Sequence, residues 1–270
     1  MRARRPAGYL DGALAALLPF WLATAGGSTI PDDSLPPAPL ELRELVGERL
    51  TFRVRWGPIP AGEAVLAVEP GEGRKVRLVA TARTLPAIDP IYRVRDRMVS
   101  TVRPDLRSFI YEKDSEEGKR ERHDRIKFDL KVGKARYTRD EQPTTEIEVP
   151  ADVRDPLSSL YAFRLQGANG SEDFALPVSD GKKLIEGVVV VVGREEVKTP
   201  AGTFQTIVVQ PRLEGIGGVF RKSPGASITI WMTDDRYRRP VRMASSVAVG
   251  SFVAELVELE TGSEGVTPQP

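Results

Sequence analysis

The 270-residue chain contains no cysteine and only one histidine, His123. Without thiols it can form no disulfide, present no thiolate nucleophile and hold no metal through sulfur. A single imidazole leaves a transition-metal site almost nothing to bind with, so neither a metal nor a cofactor is expected. The sequence has no nucleophile elbow G-x-S-x-G, no H-E-x-x-H pair and no phosphate loop G-x-x-x-x-G-K-[ST]. Asp96, Asp124, Asp129 and Asp155 could meet in space, but nothing in their spacing forces two carboxylates into the ~5–10 Å window of glycoside hydrolysis. Catalytic residues are therefore not assigned, and the chain reads as a non-enzyme.

An excess of one charge is missing as well. Lys and Arg number 39 against 38 Asp and Glu, a balance that argues against a polyanion partner, nucleic acid included. The longest apolar stretch, Gly12 to Leu22 (GALAALLPFWL), is roughly half the ~20 residues a membrane-spanning helix needs, and Pro19 interrupts it. Arg2, Arg4 and Arg5 before it and Ala23-Thr24-Ala25 after it complete the pattern of a secretory signal peptide over residues 1–25. A retained membrane anchor is the alternative reading. Cleavage near Ala25 would remove three arginines and Asp11, carrying the formal net charge from +1 to −1. With no cysteine beyond that point, a lipid-modified N-terminus is excluded, and no transmembrane span is expected in the mature chain.

What the sequence does contain is β pattern. Residues 26–40 (GGSTIPDDSLPPAPL) read as a flexible linker, residues 41–260 as a single β-rich domain, and residues 261–270 as a disordered tail. Val188 to Val192 form an unbroken β-branched run between Gly187 and Gly193, which suits a strand buried on both faces. Thr199-Pro200-Ala201-Gly202-Thr203 supplies the turn after it: Pro200 presets φ and Gly202 accepts a positive one. Leu50, Phe52, Val54 and Trp56 alternate with polar residues. Gly57 to Gly62 reads as a slightly long hairpin loop before Ala64, Leu66 and Val68. Val76–Ala82, Ile91–Val102, Leu106–Glu112, Arg120–Leu130 and Lys134–Thr138 continue the rhythm, as do Phe204–Pro211, Ser227–Thr233, Arg239–Val249 and Phe252–Glu260. Strand following strand at short spacing predicts an antiparallel meander.

One segment breaks that rhythm. Asp155 as N-cap, Pro156 at the first helical position and apolar residues at 157, 160, 161, 163 and 165 predict a short amphipathic helix packed on the sheet. The charged stretch Glu112 to Arg125 reads as a solvated hairpin tip around Gly118, with His123 a surface residue on it. Gly215 to Gly225 reads as a flexible glycine-rich loop carrying Val219 and Phe220.

Several landmarks stand in one order: Gly47-Glu48, Trp56-Gly57 through Ala61-Gly62-Glu63-Ala64, Asp155-Pro156-Leu157-Ser158-Ser159-Leu160-Tyr161, Asp180-Gly181-Lys182-Lys183, Gly193-Arg194-Glu195, Thr199 to Phe204, Ile230-Trp231, Thr233-Asp234 and Arg239-Pro240-Val241. Together they resemble the exported bacterial domain-of-unknown-function family 3108, from about Gly47 to Glu260. The resemblance implies a Gram-negative periplasmic or envelope location. It also implies an all-β fold with one short helix, its long antiparallel sheet curled into a spiral or partly open barrel. It carries no established catalytic residues. Its shape is similar to periplasmic lipoprotein-carrier and lipid-binding folds, an analogy of fold that does not set function.

The polar set Tyr92, Arg95, Asp96, Arg122, Asp124, Arg164 and Arg194 has two readings. Guanidinium forks can hold carboxylate, phosphate or sugar hydroxyl groups, or the set consists of cross-strand ion pairs that pin register, the reading preferred on sequence alone. Two functions follow. In the first, a pocket binds an amphiphilic, lipid-like or glycan ligand in envelope maintenance, with Trp56, Tyr92, Arg95, Arg122, Arg164, Phe220 and Trp231 as its residues. In the second, the protein is an envelope scaffold or chaperone-like partner of another envelope protein, working through a sheet edge or the 215–225 loop. A large dry cavity would favour the first; a filled interior with an apolar outer patch would favour the second.

Overall fold

The computed structural model describes residues 40–167, 174–212, 226–247 and 250–262. The expected signal peptide, nearly all of the linker, the whole 215–225 loop with Phe220, and residues 263–270 lie outside the described residues. Among the described residues, a one-turn 3-10 helix (Leu42–Leu45) is followed in chain order by fourteen strands and one α-helix: β1 (Arg49–Trp56), β2 (Ile59–Pro70), β3 (Val76–Thr84), β4 (Val94–Val102), β5 (Ser108–Glu117), β6 (Arg120–Asp129), β7 (Lys134–Arg139), β8 (Gln142–Glu148), α1 (Pro156–Gln166), β9 (Phe174–Ser179), β10 (Leu184–Thr199), β11 (Gly202–Pro211), β12 (Ser227–Thr233), β13 (Pro240–Val247) and β14 (Gly250–Glu260). All strands join one sheet in the order β8-β7-β6-β5-β4-β3-β2-β1-β14-β13-β12-β11-β10-β9. Two meanders are thus joined along β1 and β14, and every strand pair is antiparallel.

The sheet's two edges, β8 and β9, are neighbours in sequence, and α1 carries the chain from one to the other. The sheet curls without closing. Gly181, at φ 80 in the β9–β10 turn, lies against Ile126 of β6 and Tyr137 of β7, where a Cβ would come within 2.9 Å of both side chains. Arg154, just before α1, makes a single parallel bridge to Val178 of β9. Alternation decides which face turns inward: Leu50, Phe52 and Val54 of β1, Leu78, Ala80 and Ala82 of β3, Ile228, Ile230 and Met232 of β12, and Phe252, Ala254 and Leu256 of β14 are buried together with α1 in one core.

Several expectations need correction. α1 is not amphipathic: Leu157 through Arg164 are all buried, because the helix sits inside the curl, against β3, β4 and β9, and has no wet face. The β1–β2 loop is tight, with Trp56 paired to Ile59. Gly57 at φ 55 supplies the positive φ that a two-residue turn needs and Pro58 the negative one. Pro60 to Gly62 belong to β2, where a bulge absorbs them. Glu112 to Arg125 is a long paired ladder whose tip is only Gly118-Lys119. In the valine run, Val188 to Val190 are buried, but Val192 is 45% exposed, since the register breaks between Val191 and Gly193 and turns it out. β8 and β9 lie outside the expected strands; in QPTTEIE of β8 Ile147 is the one residue packed on the core, and β9 holds Pro177 in its middle.

Candidate functional site

Buried polar clusters hold α1 at both ends. At its start, the Asp155 carboxylate caps the amides of Leu157 and Ser158 at 2.9 Å. Its other oxygen accepts from Ser100 of β4 at 2.5 Å, Ser108 of β5 at 2.7 Å and Ser158 at 2.9 Å. The N-cap that the sequence announces is therefore also the clamp between helix and sheet. At the helix end, Arg164 is fully buried, with Nη1 2.7 Å from Glu48 Oε1. Its Nη2 donates to Glu48 Oε2 at 3.0 Å and its Nε to the Tyr237 carbonyl at 3.1 Å. Arg239 donates to the same carboxylate at 2.8 Å. One carboxylate between two guanidinium groups ties α1 to the start of β1 and the β12–β13 turn, a structural lock that leaves Arg164 no ligand to hold.

Both clusters lie toward the ends of β4, β5, β1 and β12 that α1 covers. The opposite, helix-free end carries charge on the inner face. The register sets it out in two rows, Asp96–Ser115–Arg122 across β4, β5 and β6, and Lys113–Asp124–Arg139 across β5, β6 and β7. Asp96 is fully enclosed at its side chain, with Lys113 Nζ 3.4 Å away. Neither of its oxygens accepts a hydrogen bond. Burial, with Glu117 adding to it against the pull of Lys113, pushes its carboxyl up to about 6. Glu117 lies 3.6 Å from the same ammonium.

One rung further round, the balance is basic. Asp124 Oδ1 accepts from the Tyr137 hydroxyl at 2.5 Å and from Arg139 Nε at 2.8 Å. Burial raises its carboxyl, but those two bonds outweigh burial and hold it below the usual range. Lys182, in the β9–β10 turn, lays its ammonium 4.3 Å from the Tyr137 ring centre. Burial, opposed by Asp124 and aided by Arg139 and Arg122, pulls its ammonium below the usual lysine range.

The residues marked from sequence are not one constellation. Arg122, Asp96 and Asp124 meet on this inner face, and Tyr92 packs over Gly118 at the same end, 3.1 Å from where a Cβ would stand. Trp56 stacks on Phe252 with ring centres 6.2 Å apart. Arg95 faces the other way and pairs with Asp89 at 2.6 Å. Trp231 also lies on the outer face, bonded to Glu195 and 5.7 Å from the Arg242 guanidinium. Arg194 pairs with Asp234 at 2.9 Å. These outward arginines are held in ion pairs, but with carboxylates of connecting segments, Asp89 between β3 and β4 and Asp234 after β12, rather than across paired strands. Lys113, Glu117, Arg139 and Lys182 were missed; Lys182 stood within a quoted landmark, but only the curl of the sheet brings it to Tyr137. His123 pairs with Asp114 at 2.5 Å.

The family described as "Protein of unknown function (DUF3108)" matches residues 51–257. The chain belongs to the DUF3108 family. No curated protein matches it. Among solved structures, a β-barrel-like protein of the domain of unknown function DUF1849 from Brucella abortus superposes with TM-score 0.55 at 12% identity, over 82% of this chain and 99% of that one. The hypothetical protein CT021 of Chlamydia trachomatis reaches TM-score 0.32 at 7% identity, over 87% and 98%. Only the first likeness is close enough to compare folds, and it bears on the fold alone: this DUF3108 chain has a fold similar to that β-barrel-like protein. Among the described residues, no helix is long and apolar enough to cross a membrane.

Proposed function

We propose that this DUF3108 protein is an exported, periplasmic, non-enzymatic binding protein that holds the polar part of an amphiphilic or glycan ligand at the helix-free end of its sheet, in envelope maintenance. The observation that carries this reading is Asp96, a carboxylate taken out of water with no hydrogen bond to either oxygen. Such burial costs several kcal/mol; the carboxylate has no accessible surface beside the partly exposed Lys113, so a ligand hydroxyl or ammonium supplies the missing donors as the Lys113 side chain swings aside. Arg122, Arg139 and Lys182 offer further polar contacts one rung away, and Trp56 on Phe252 offers an aromatic surface at the same end. α1 already occupies the other end of the interior, so the ligand is read as seated in the charged end rather than threaded through the curl. Export rests on the N-terminal pattern of positive, apolar and small residues.

A second reading, a scaffold for an envelope protein, has one observation in its favour. β9 is a sheet edge, and beside it lies an open cavity of about 330 Å³ lined by Ala175, Leu176, Pro177, Leu184, Ile185 and Glu186. Native mass spectrometry of the mature protein, purified gently from its own periplasm and followed by organic extraction, separates the two. A co-purifying lipid or glycan that Asp96→Asn no longer retains supports the first. A ligand-free protein that captures an envelope protein through β9 overturns it.

A further inference from the structure

The basic side of the helix-free end is built more specifically than a surface patch. Gly181 lets the β9–β10 turn press onto Ile126 and Tyr137 at a distance no Cβ would allow. The Asp180 carboxylate accepts the backbone amides of Lys182 at 3.0 Å and Lys183 at 3.1 Å, so the turn is held in shape by its own side chain. That turn aims Lys182 across the gap between the two halves of the sheet, onto the Tyr137 ring. Arg139 stands over the same ring, 5.7 Å from its centre, and Arg122 occupies the inward position of β6 two residues before Asp124. Arg139 and Lys182 thus share one aromatic ring beside the Asp124 carboxylate, and burial first, then Arg139 and Arg122, hold the Lys182 ammonium below the usual lysine range against the pull of Asp124 and Asp180. Like charges gathered on a preformed frame are relieved by an anion. Guanidinium forks and an ammonium on one inner face suit a tetrahedral oxyanion.

We infer that Arg122, Arg139 and Lys182 form a receptor for a phosphate group of the ligand, with Tyr137 and Asp124 fixing its geometry. The inference rests on the binding reading above and gives it a chemical class, a phosphate ester, whether on a lipid head group or on a small soluble molecule. Calorimetric titration of the mature protein with inorganic phosphate, with soluble dihexanoyl phosphatidylglycerol and with the neutral amphiphile octyl glucoside tests it. Wild type should bind the phospholipid, and phosphate should compete. Lys182→Gln and Arg139→Gln should each weaken that binding at least about tenfold, the worth of one charge-assisted hydrogen bond. Arg194→Gln, on the outer face, should leave it unchanged, and circular dichroism should show all three variants folded.

Binding of phosphate that the acyl chains do not strengthen would assign the receptor to a soluble phosphate ester and still support it. Phospholipid and octyl glucoside binding equally to wild type and to Lys182→Gln would overturn the phosphate receptor while the binding reading stands. Wild type that binds none of the three probes would overturn the receptor, whereas the binding reading would then be judged by what the native protein carries.

Discussion

Replacing Asp96 with asparagine isolates the energetic cost of the candidate site. Its carboxyl rises from an ordinary 3.8 to about 6 on folding, so the folded state binds its proton more tightly than the unfolded chain does. The stability it permits is then fully present below pH 3.8, falls between there and about 6, and stays reduced above. That gap corresponds to about 3 kcal/mol at neutral pH. Asp96→Asn cannot ionise, so it should equal or trail wild type near pH 4 and exceed it by roughly 2–3 kcal/mol near pH 7.5. Urea unfolding of both proteins at four pH values from 4.5 to 7.5 measures the difference, and shifts shared by the other carboxylates cancel in it. A difference that stays flat across the range would refute the claim that burial of the Asp96 carboxylate outweighs its pairing with Lys113. If the binding reading is right, the more stable variant is also the one that loses its ligand, a trade of stability for function.

The remaining predictions concern the frame around that site. Glu48→Gln leaves Arg164 and Arg239 facing each other in a dry interior and should lower stability by about 3–5 kcal/mol. For a domain of this size that is a fall of roughly 6–20 °C in Tm, read by a thermal melt, and adding Arg164→Met should recover part of it. Asp155→Ala removes the cap and takes from Ser100, Ser108 and Ser158 the carboxylate they share; chemical denaturation should show a loss of about 2–4 kcal/mol, and a loss under 1 kcal/mol would mean that the clamp is not structural. Gly181→Val forces a side chain into Ile126 and Tyr137 at positive φ, so the β9–β10 turn should lift. Amide exchange at Lys182 and Lys183 should accelerate, while the Asp155 end of α1 stays protected.

Much of this was legible in the chain and some was not. Asp155-Pro156 marks the helix start in any context, because a carboxylate N-cap and a proline at the first helical position act locally. Leu50, Phe52 and Val54 declare an inner face because alternation is a property of the strand itself. β8 is hard to see in the sequence because Ile147 is its one side chain packed on the core, too little to write an alternation. The candidate site was harder still. Arg95 and Arg122 look alike in sequence, each one residue or two from an aspartate, yet one faces out to Asp89 and the other faces in. Bulges at Val54/Arg55, Thr101/Val102 and Tyr137/Thr138 reset which parity points inward, and a one-residue slip reverses every side chain.

The sequence by itself determined every strand but β8 and β9, most of the turns, and the helix with its cap, since each depends on neighbours within a few residues. Only the tertiary structure decided the sheet order, the two edges, the depth at which α1 is buried, and the meeting of Lys182 with Tyr137. Those rest on partners far apart in the chain, such as Glu48 with Arg164 at 116 residues and with Arg239 at 191. Contacts of that range depend on how the whole sheet curls, and the curl is set by summed twist, bulges and one close-approaching glycine rather than by any short motif.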